Sequence, residues 1–256
     1  MTFRRAADRA RDQRGELLLR IEDLDAPRCK PEYIDAAVED LQWLGLAWTA
    51  GPVFQSQRRS LYLAAWRKLR DGGFIYPCPR SRRDLEAVAA PHEEEPLFPP
   101  ELRTPAAEAL RWEGPTGSNW RFQVPDGETL RFEDRCQGTA ARTAGRDFGD
   151  FLIWNRDDVP AYELAVVVDD AAMGITEAVR GADLLTSTCR QLLLYRALGE
   201  SPPAFYHCPL VVDGQGRRLA KRDASLTLRT LRAQGWSPEQ VLSQAQGSLV
   251  IKSPAS

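Results

Sequence analysis

The sequence predicts an α/β fold with an inserted subdomain and a C-terminal helical segment, and three observations carry that prediction. First, residues 17–21 (LLLRI) form a buried-strand run that ends in the acids Glu22, Asp23 and Asp25, and residues 74–76 form another after two helical stretches. Second, from 77 to about 120 the texture changes: prolines follow at 79, 91, 96, 99, 100, 105 and 115, with an acidic block at Glu93, Glu94 and Glu95. Third, the alternation of strands and helices resumes near Phe148. The divisions that follow are 1–76, first part of the α/β domain; 77–147, inserted subdomain; 148–216, second part; and 217–256, a basic loop and C-terminal helical segment.

A short helical stretch precedes the 17–21 strand. Pro31 stands at a helix start, and Ile34, Val38, Leu41 and Leu44 keep helical spacing up to Gly45. A second helix begins near Gln57 with Leu61, Ala65 and Leu69 as its apolar stripe, and Gly72 and Gly73 end it. Residues 120–123 and 129–133 read as short strands around the turn Pro125-Asp126-Gly127. Residues 151–154 and 162–168 read as strands, the second ending in Asp169 and Asp170. A helix over 187–198 stops at Gly199. Residues 210–212 and 218–220 flank the turn Asp213-Gly214-Gln215-Gly216. Ser237, Pro238 and Gln240 form a capping box with proline at the first helical position.

Bulk properties narrow the functional class. With 256 residues, 43% of them hydrophobic, the chain can build a sizeable core. No run approaches the ~18 apolar residues of a membrane span, and residues 1–15 are too rich in Arg and Asp for a secretory signal. A cytoplasmic protein is expected. A net charge of −2, from 34 basic and 36 acidic residues, does not advertise general nucleic-acid binding. A local cluster can still do so, and Arg80, Arg82 and Arg83 form one. The five cysteines, at 29, 78, 136, 189 and 208, include no Cys-x-x-Cys pair, which fits reduced thiols. His92 lies in a Pro/Glu-rich loop, and His207 fits a satisfied strand histidine.

Three stations carry candidate chemistry. Glu22, Asp23 and Asp25 lie just past a strand's C-terminal end, where α/β sheets bind ligands. A carboxylate there takes an ammonium group or a ribose hydroxyl, or simply ends a turn. The second station is YELAVVVDD at 162–170 with GITEAVRGADL at 174–184. Arg180 beside Gly181 can approach a small anion closely, its fork matching a carboxylate, or can fix a turn by pairing with Asp. Tyr162 can orient the same ligand. The third is RRLAKRD at 217–223, a basic loop after a Gly-rich turn, suited to phosphates as charge builds in a transition state.

In this order the stations resemble the catalytic domain of class I glutamyl-tRNA synthetases, from about Gly15 to Gln244. LLLRIEDLDAPR is similar to the family's strand with its glutamate-binding acid. The second station is similar above all to the glutamyl-Q synthetases, which attach glutamate to queuosine at the wobble position of tRNA(Asp). RLAKR, residues Arg218, Leu219, Ala220, Lys221 and Arg222, occupies the place of the KMSKS loop, with Ala220 for the usual serine. The resemblance implies a Rossmann-type fold, ATP with Mg²⁺ as cofactors, and L-glutamate and queuosine-bearing tRNA(Asp) as partners of a monomeric ligase. It implies that Glu22, Tyr162 and Arg180 bind glutamate and that Lys221 is the catalytic, ATP-binding residue. The chain ends soon after Arg222, as glutamyl-Q synthetases do.

Two departures shape the expectations. The family begins with a strand reading roughly RFAPSPTG and the HIGH element, and Met1 here resembles a start inside the following helix. A misassigned start codon, a shortened polypeptide or natural degeneration would each give that, and inactivity as written is expected to accompany it. The alternative reading is a non-catalytic synthetase-like protein that binds tRNA or glutamate. The family's Cys-x-Cys pair is reduced to Cys78 with Arg80 in the second place, so no zinc or other metal site is expected.

Overall fold

The structure is a computed structural model that describes residues 2–80, 97–210 and 227–247. Its contacts divide the chain into two units, one of Met1–Phe54, Ala178–Asp183 and Tyr206–Ser256, the other of Gln55–Glu177 and Leu184–Phe205.

The first unit opens with α1 (Thr2–Asp12), which has no buried residue. Two of its arginines lie over the ring of Tyr206, Arg9 at 4.3 Å and Arg5 at 6.0 Å from the centroid. β1 (Leu18–Ile21) follows, then α2 (Pro31–Trp43), then β2 (Ala50–Phe54). β1 and β2 pair in parallel, Leu18 opposite Ala50 and Ile21 opposite Phe54. Parallel neighbours need a long crossover, and α2 is that crossover. Pro31 starts α2 as the sequence predicts. β2 was not expected; it carries Gly51 and Pro52 in its middle, residues that weaken most strands. Gly51 is required there. Its φ is +99°, and a Cβ would collide with the Leu19 carbonyl and lie 3.1 Å from the Val53 nitrogen. Gly51→Ala is expected to cost at least ~2 kcal/mol, from left-handed strain plus a backbone clash. A urea midpoint equal to that of the parent would contradict this.

The C-terminal helices belong to this unit too. α7 (Leu228–Ala233) is capped by Thr227, whose hydroxyl accepts from the Thr230 nitrogen. Its Arg232 and Arg229 reach Glu39 of α2 at 2.9 and 3.3 Å. α8 (Pro238–Gly247) carries the expected capping box: Ser237 N–H donates to Gln240 Oε1 at 2.8 Å, and Gln240 N–H to Ser237 Oγ at 3.3 Å.

The second unit holds the aromatic core. A 3-10 turn (Gln55–Arg58) leads into α3 (Arg59–Asp71), then β3 (Ile75–Cys78). α3 buries Tyr62, Ala65, Trp66 and Leu69, so its inner stripe is shifted from the expected one and Leu61 faces out. A 3-10 turn (Pro100–Leu102) and the short α4 (Ala106–Ala109) precede β4 (Asn119–Phe122). β4 lies between β3 and β7 (Phe151–Trp154), antiparallel to both. β5 (Thr129–Asp134) pairs instead with β6 (Gly138–Thr143). The two strands around Pro125-Asp126-Gly127 therefore enter different sheets and do not pair as a hairpin. Trp66 packs edge-on against Trp120, centroids 4.7 Å apart, and Phe122 stacks on Phe151 at 5.2 Å.

The run 162–168 is a helix, not the expected strand. α5 spans Tyr162–Ala172 and buries Glu163, Leu164, Ala165, Val166, Val167, Asp169 and Asp170. A helix buried on nearly all sides loses its amphipathic period, and a continuous apolar run then reads equally as a buried strand. β8 (Glu177–Gly181), a 3-10 turn (Ala182–Leu184), α6 (Leu185–Leu198) and β9 (Ala204–Cys208) complete the order, with Gly199 ending α6 as expected. β5 also pairs in parallel with β9, Asp134 opposite Phe205. The hairpin-like turn at 213–216 lies outside the described residues.

Candidate active site

Glu22 follows the last residue of β1 directly, so the sheet delivers it to a strand's C-terminal end. Its side chain is 45% exposed, and Arg20 Nη2 holds it at 3.2 Å. An exposed carboxylate with one arginine beside it keeps lone pairs for an ammonium group. Arg180 is the fourth residue of β8, every position of which is half-buried. The backbone next to it is closely approached: a Cβ on Gly181 would meet Asp183 Oδ1, which would have to swing aside, and lie 3.6 Å from Leu210 Cδ2. Glu22 and Arg180 belong to the first unit.

Tyr162 belongs to the second unit, where it is the first residue of α5 and 39% exposed. A large aromatic at a helix start is thus partly open to solvent while the residues that follow it are buried. The Arg218, Leu219, Ala220, Lys221 and Arg222 loop lies outside the described residues, as do Arg82, Arg83 and His92.

Two buried carboxylates brace the second unit; the sequence placed Asp169 only at the end of an expected strand and did not single out Asp150. Asp169 is fully buried and accepts three hydrogen bonds, from Gln55 Nε2 at 2.8 Å, Tyr62 Oη at 2.8 Å and Arg58 Nε at 2.6 Å. Asp150 accepts from Tyr76 Oη at 2.6 Å, the Val124 nitrogen at 2.8 Å, and Arg103 through Nε at 2.7 Å and Nη2 at 2.8 Å. Arg103 reaches on to Asp126 at 2.6 Å. Burial, then the Asp150 charge, pushes the Tyr76 phenol well above its ordinary range, so it stays a donor. Hydrogen bonding to Asp150 likewise raises Arg103.

None of the five cysteines is in a disulfide, and Cys78, Cys189 and Cys208 are buried. Burial pushes the Cys189 thiol up to about 11. The segment after β3 is held by hydrogen bonds from protein groups. Asn119 Nδ2 donates to the Arg80 carbonyl at 3.1 Å, Arg156 N–H to Asn119 Oδ1 at 3.0 Å, and Arg156 Nη2 to the Pro79 carbonyl at 3.3 Å. Among the described residues no group of three His, Cys, Asp or Glu could hold a metal. Mg²⁺ that arrives with ATP needs no such cluster, since substrate phosphates and water supply most of its ligands. Among the described residues no helix is long and apolar enough to cross a membrane.

Comparison with known proteins places these elements in a family. Residues 8–246 match the family described as tRNA synthetases class I (E and Q), catalytic domain. A protein of Rhodopirellula baltica named glutamyl-Q tRNA(Asp) synthetase is 44% identical over 263 residues, covering 96% of this chain and 79% of the relative. One of Symbiobacterium thermophilum with the same name is 44% identical over 247 residues, covering 91% and 76%. A crystal structure of a glutamate tRNA ligase from Elizabethkingia meningosepticum, in complex with its amino acid, superposes with a TM-score of 0.79 at 25% identity. It matches 95% of this chain, which spans 56% of that protein's length. The helix α5 and strand β8 that carry Tyr162 and Arg180 lie within the family match, and the chain belongs to the class I tRNA synthetases (E and Q), as their catalytic domain.

Proposed function

We propose that this chain activates L-glutamate with ATP and passes the glutamyl group to queuosine at the wobble position of tRNA(Asp), acting as a monomer. The observation that carries the reading is the 162–184 segment. It sets a partly exposed tyrosine at the head of a buried helix and an arginine on a half-buried strand beside a glycine. Support also comes from relatives at 44% identity that are named glutamyl-Q tRNA(Asp) synthetase.

In this reading Arg180 binds a carboxylate of glutamate through its fork, Tyr162 orients the substrate with its hydroxyl, and Glu22 takes the α-ammonium group. The glutamate α-carboxylate attacks the α-phosphorus of ATP. The bond to the β-phosphate bridge breaks, leaving glutamyl-adenylate and pyrophosphate. Negative charge spreads over phosphate oxygens, and Lys221, on the loop of Arg218, Leu219, Ala220 and Arg222, stabilises it. Bound Mg²⁺ supplies further charge neutralisation. A queuosine hydroxyl then attacks the acyl carbon and releases AMP.

The test is exchange of labelled pyrophosphate into ATP without tRNA. It is run on the 256-residue polypeptide and on a form preceded by an APSPTG strand and HIGH segment. Exchange that requires glutamate, and that glutamine or aspartate does not replace, is the expected result. Absence of glutamate-dependent exchange from both forms would overturn the reading in favour of a binding protein.

A further inference from the structure

The first turn of α5 has to be held in place by something other than a cap. Its N-cap is Ala161, which makes no side-chain hydrogen bond, yet the next residue is Tyr162. What lies behind that turn is a buried carboxylate. Glu163 is 8% exposed, an unusual place for a glutamate unless its charge is met by donors. Two residues of α6 meet it. Gln191, 2% exposed, donates from Nε2 to Glu163 Oε2 at 2.7 Å, and Arg190 Nη1 stands 3.8 Å from Glu163 Oε1. Arg190 is itself braced over the Phe151 ring, 6.0 Å from the centroid.

Residues 162 and 163 are adjacent on a helix and project about 100° apart, so turning one turns the other. The far end of the helix is fixed separately by Asp169, whose partners lie on α3 and the turn before it. The Glu163–Gln191 clasp is a second anchor, placed on the first turn. A short hydrogen bond between two buried side chains is directional and has little slack, unlike the apolar contacts of Leu164, Val166 and Val167 around it.

We infer that Glu163 and Gln191 are positioning residues, which set the direction in which Tyr162 presents its hydroxyl to an amino-acid substrate. This rests on the proposed contact between Tyr162 and glutamate, and the experiment separates the two ideas. The full chain is labelled with 3-fluorotyrosine, and the Tyr162 resonance is assigned by Tyr162→Phe among the six tyrosines. Gln191→Leu combined with Glu163→Leu removes both partners of the hydrogen bond, and Arg190 loses its 3.8 Å contact with Glu163 as well, so the melting temperature is measured alongside to show that the fold survives. The expected result is that the Tyr162 fluorine signal shifts or broadens while those of Tyr62 and Tyr76 stay in place. Glu163→Gln, whose amide oxygen still accepts from Gln191, should keep the parent spectrum.

Kinetics give the second readout. In a form that supports exchange, the double leucine variant should raise KM for glutamate about tenfold, with KM for ATP and melting temperature near the parent values. An unmoved Tyr162 signal in the double variant, or a change spread equally over all the tyrosines, would overturn the inference. If the signal moves but Tyr162→Phe leaves KM for glutamate unchanged, the clasp stands as a positioning device for Tyr162. The tyrosine's part in binding glutamate, and with it the substrate side of the inference, then fails.

Discussion

Arg180→Ala is expected to abolish measurable glutamate-dependent pyrophosphate exchange while leaving the far-UV circular dichroism and melting temperature near those of the parent. Losing a guanidinium that pairs a substrate carboxylate in a partly desolvated site costs ~3–5 kcal/mol, because the substrate charge is then left without a partner. At ~1.4 kcal/mol per factor of ten, that is roughly a 10²- to 4 × 10³-fold loss in kcat/KM. Arg180→Lys keeps the charge but not the planar fork, so it should recover only part of the loss. The fold should tolerate the change, since β8 is half-buried along its length. Unchanged exchange would remove Arg180 from the site.

Asp169→Ala is expected to act on the fold. The carboxylate is fully buried and accepts from Gln55, Arg58 and Tyr62, which belong to the elements preceding and forming α3. Its removal leaves two buried neutral donors and one arginine without their acceptor. That combination costs ~3–5 kcal/mol, a large share of the ~5–15 kcal/mol that holds a typical domain. Asp169→Asn keeps one acceptor oxygen but turns an amide toward donors, so it should fall between alanine and the parent. The check is a denaturant midpoint on each variant. A midpoint within the error of the parent for Asp169→Ala would contradict the bracing role.

How much of this was legible in the sequence follows from the range of the forces involved. Local signals were reliable: Pro31 at a helix start, Gly199 at a helix end and the Ser237–Gln240 box each depend on neighbours within one turn. The strand over 151–154 was legible for the same reason, as a short apolar run with polar flanks. The 162–168 run was misread as a strand because burial around the whole helix erases the period that distinguishes the two structures. β2 was hidden by a glycine and a proline that usually break strands, and only the carbonyl of Leu19 explains the glycine.

The candidate site divides the same way. Glu22, Tyr162 and Arg180 stood out through motif spacing, and the structure puts them at a strand end, a helix start and within a strand. Their supports did not stand out. Asp169 meets Gln55 across 114 positions and Glu163 meets Gln191 across 28, and no local pattern marks such pairs. A signal did exist, in that an acid within or ending an apolar run demands a partner when buried. Only the fold says which partner.

Under the proposed function the glutamyl acceptor is queuosine in the anticodon loop and not the terminal adenosine of the tRNA. The direct measurement is transfer of radiolabelled glutamate to tRNA(Asp) from which the terminal adenosine has been removed, with queuosine present or replaced by guanosine. Label on the shortened, queuosine-bearing tRNA, and none on its guanosine counterpart, is the predicted result. Transfer that needs the terminal adenosine and ignores queuosine would contradict it.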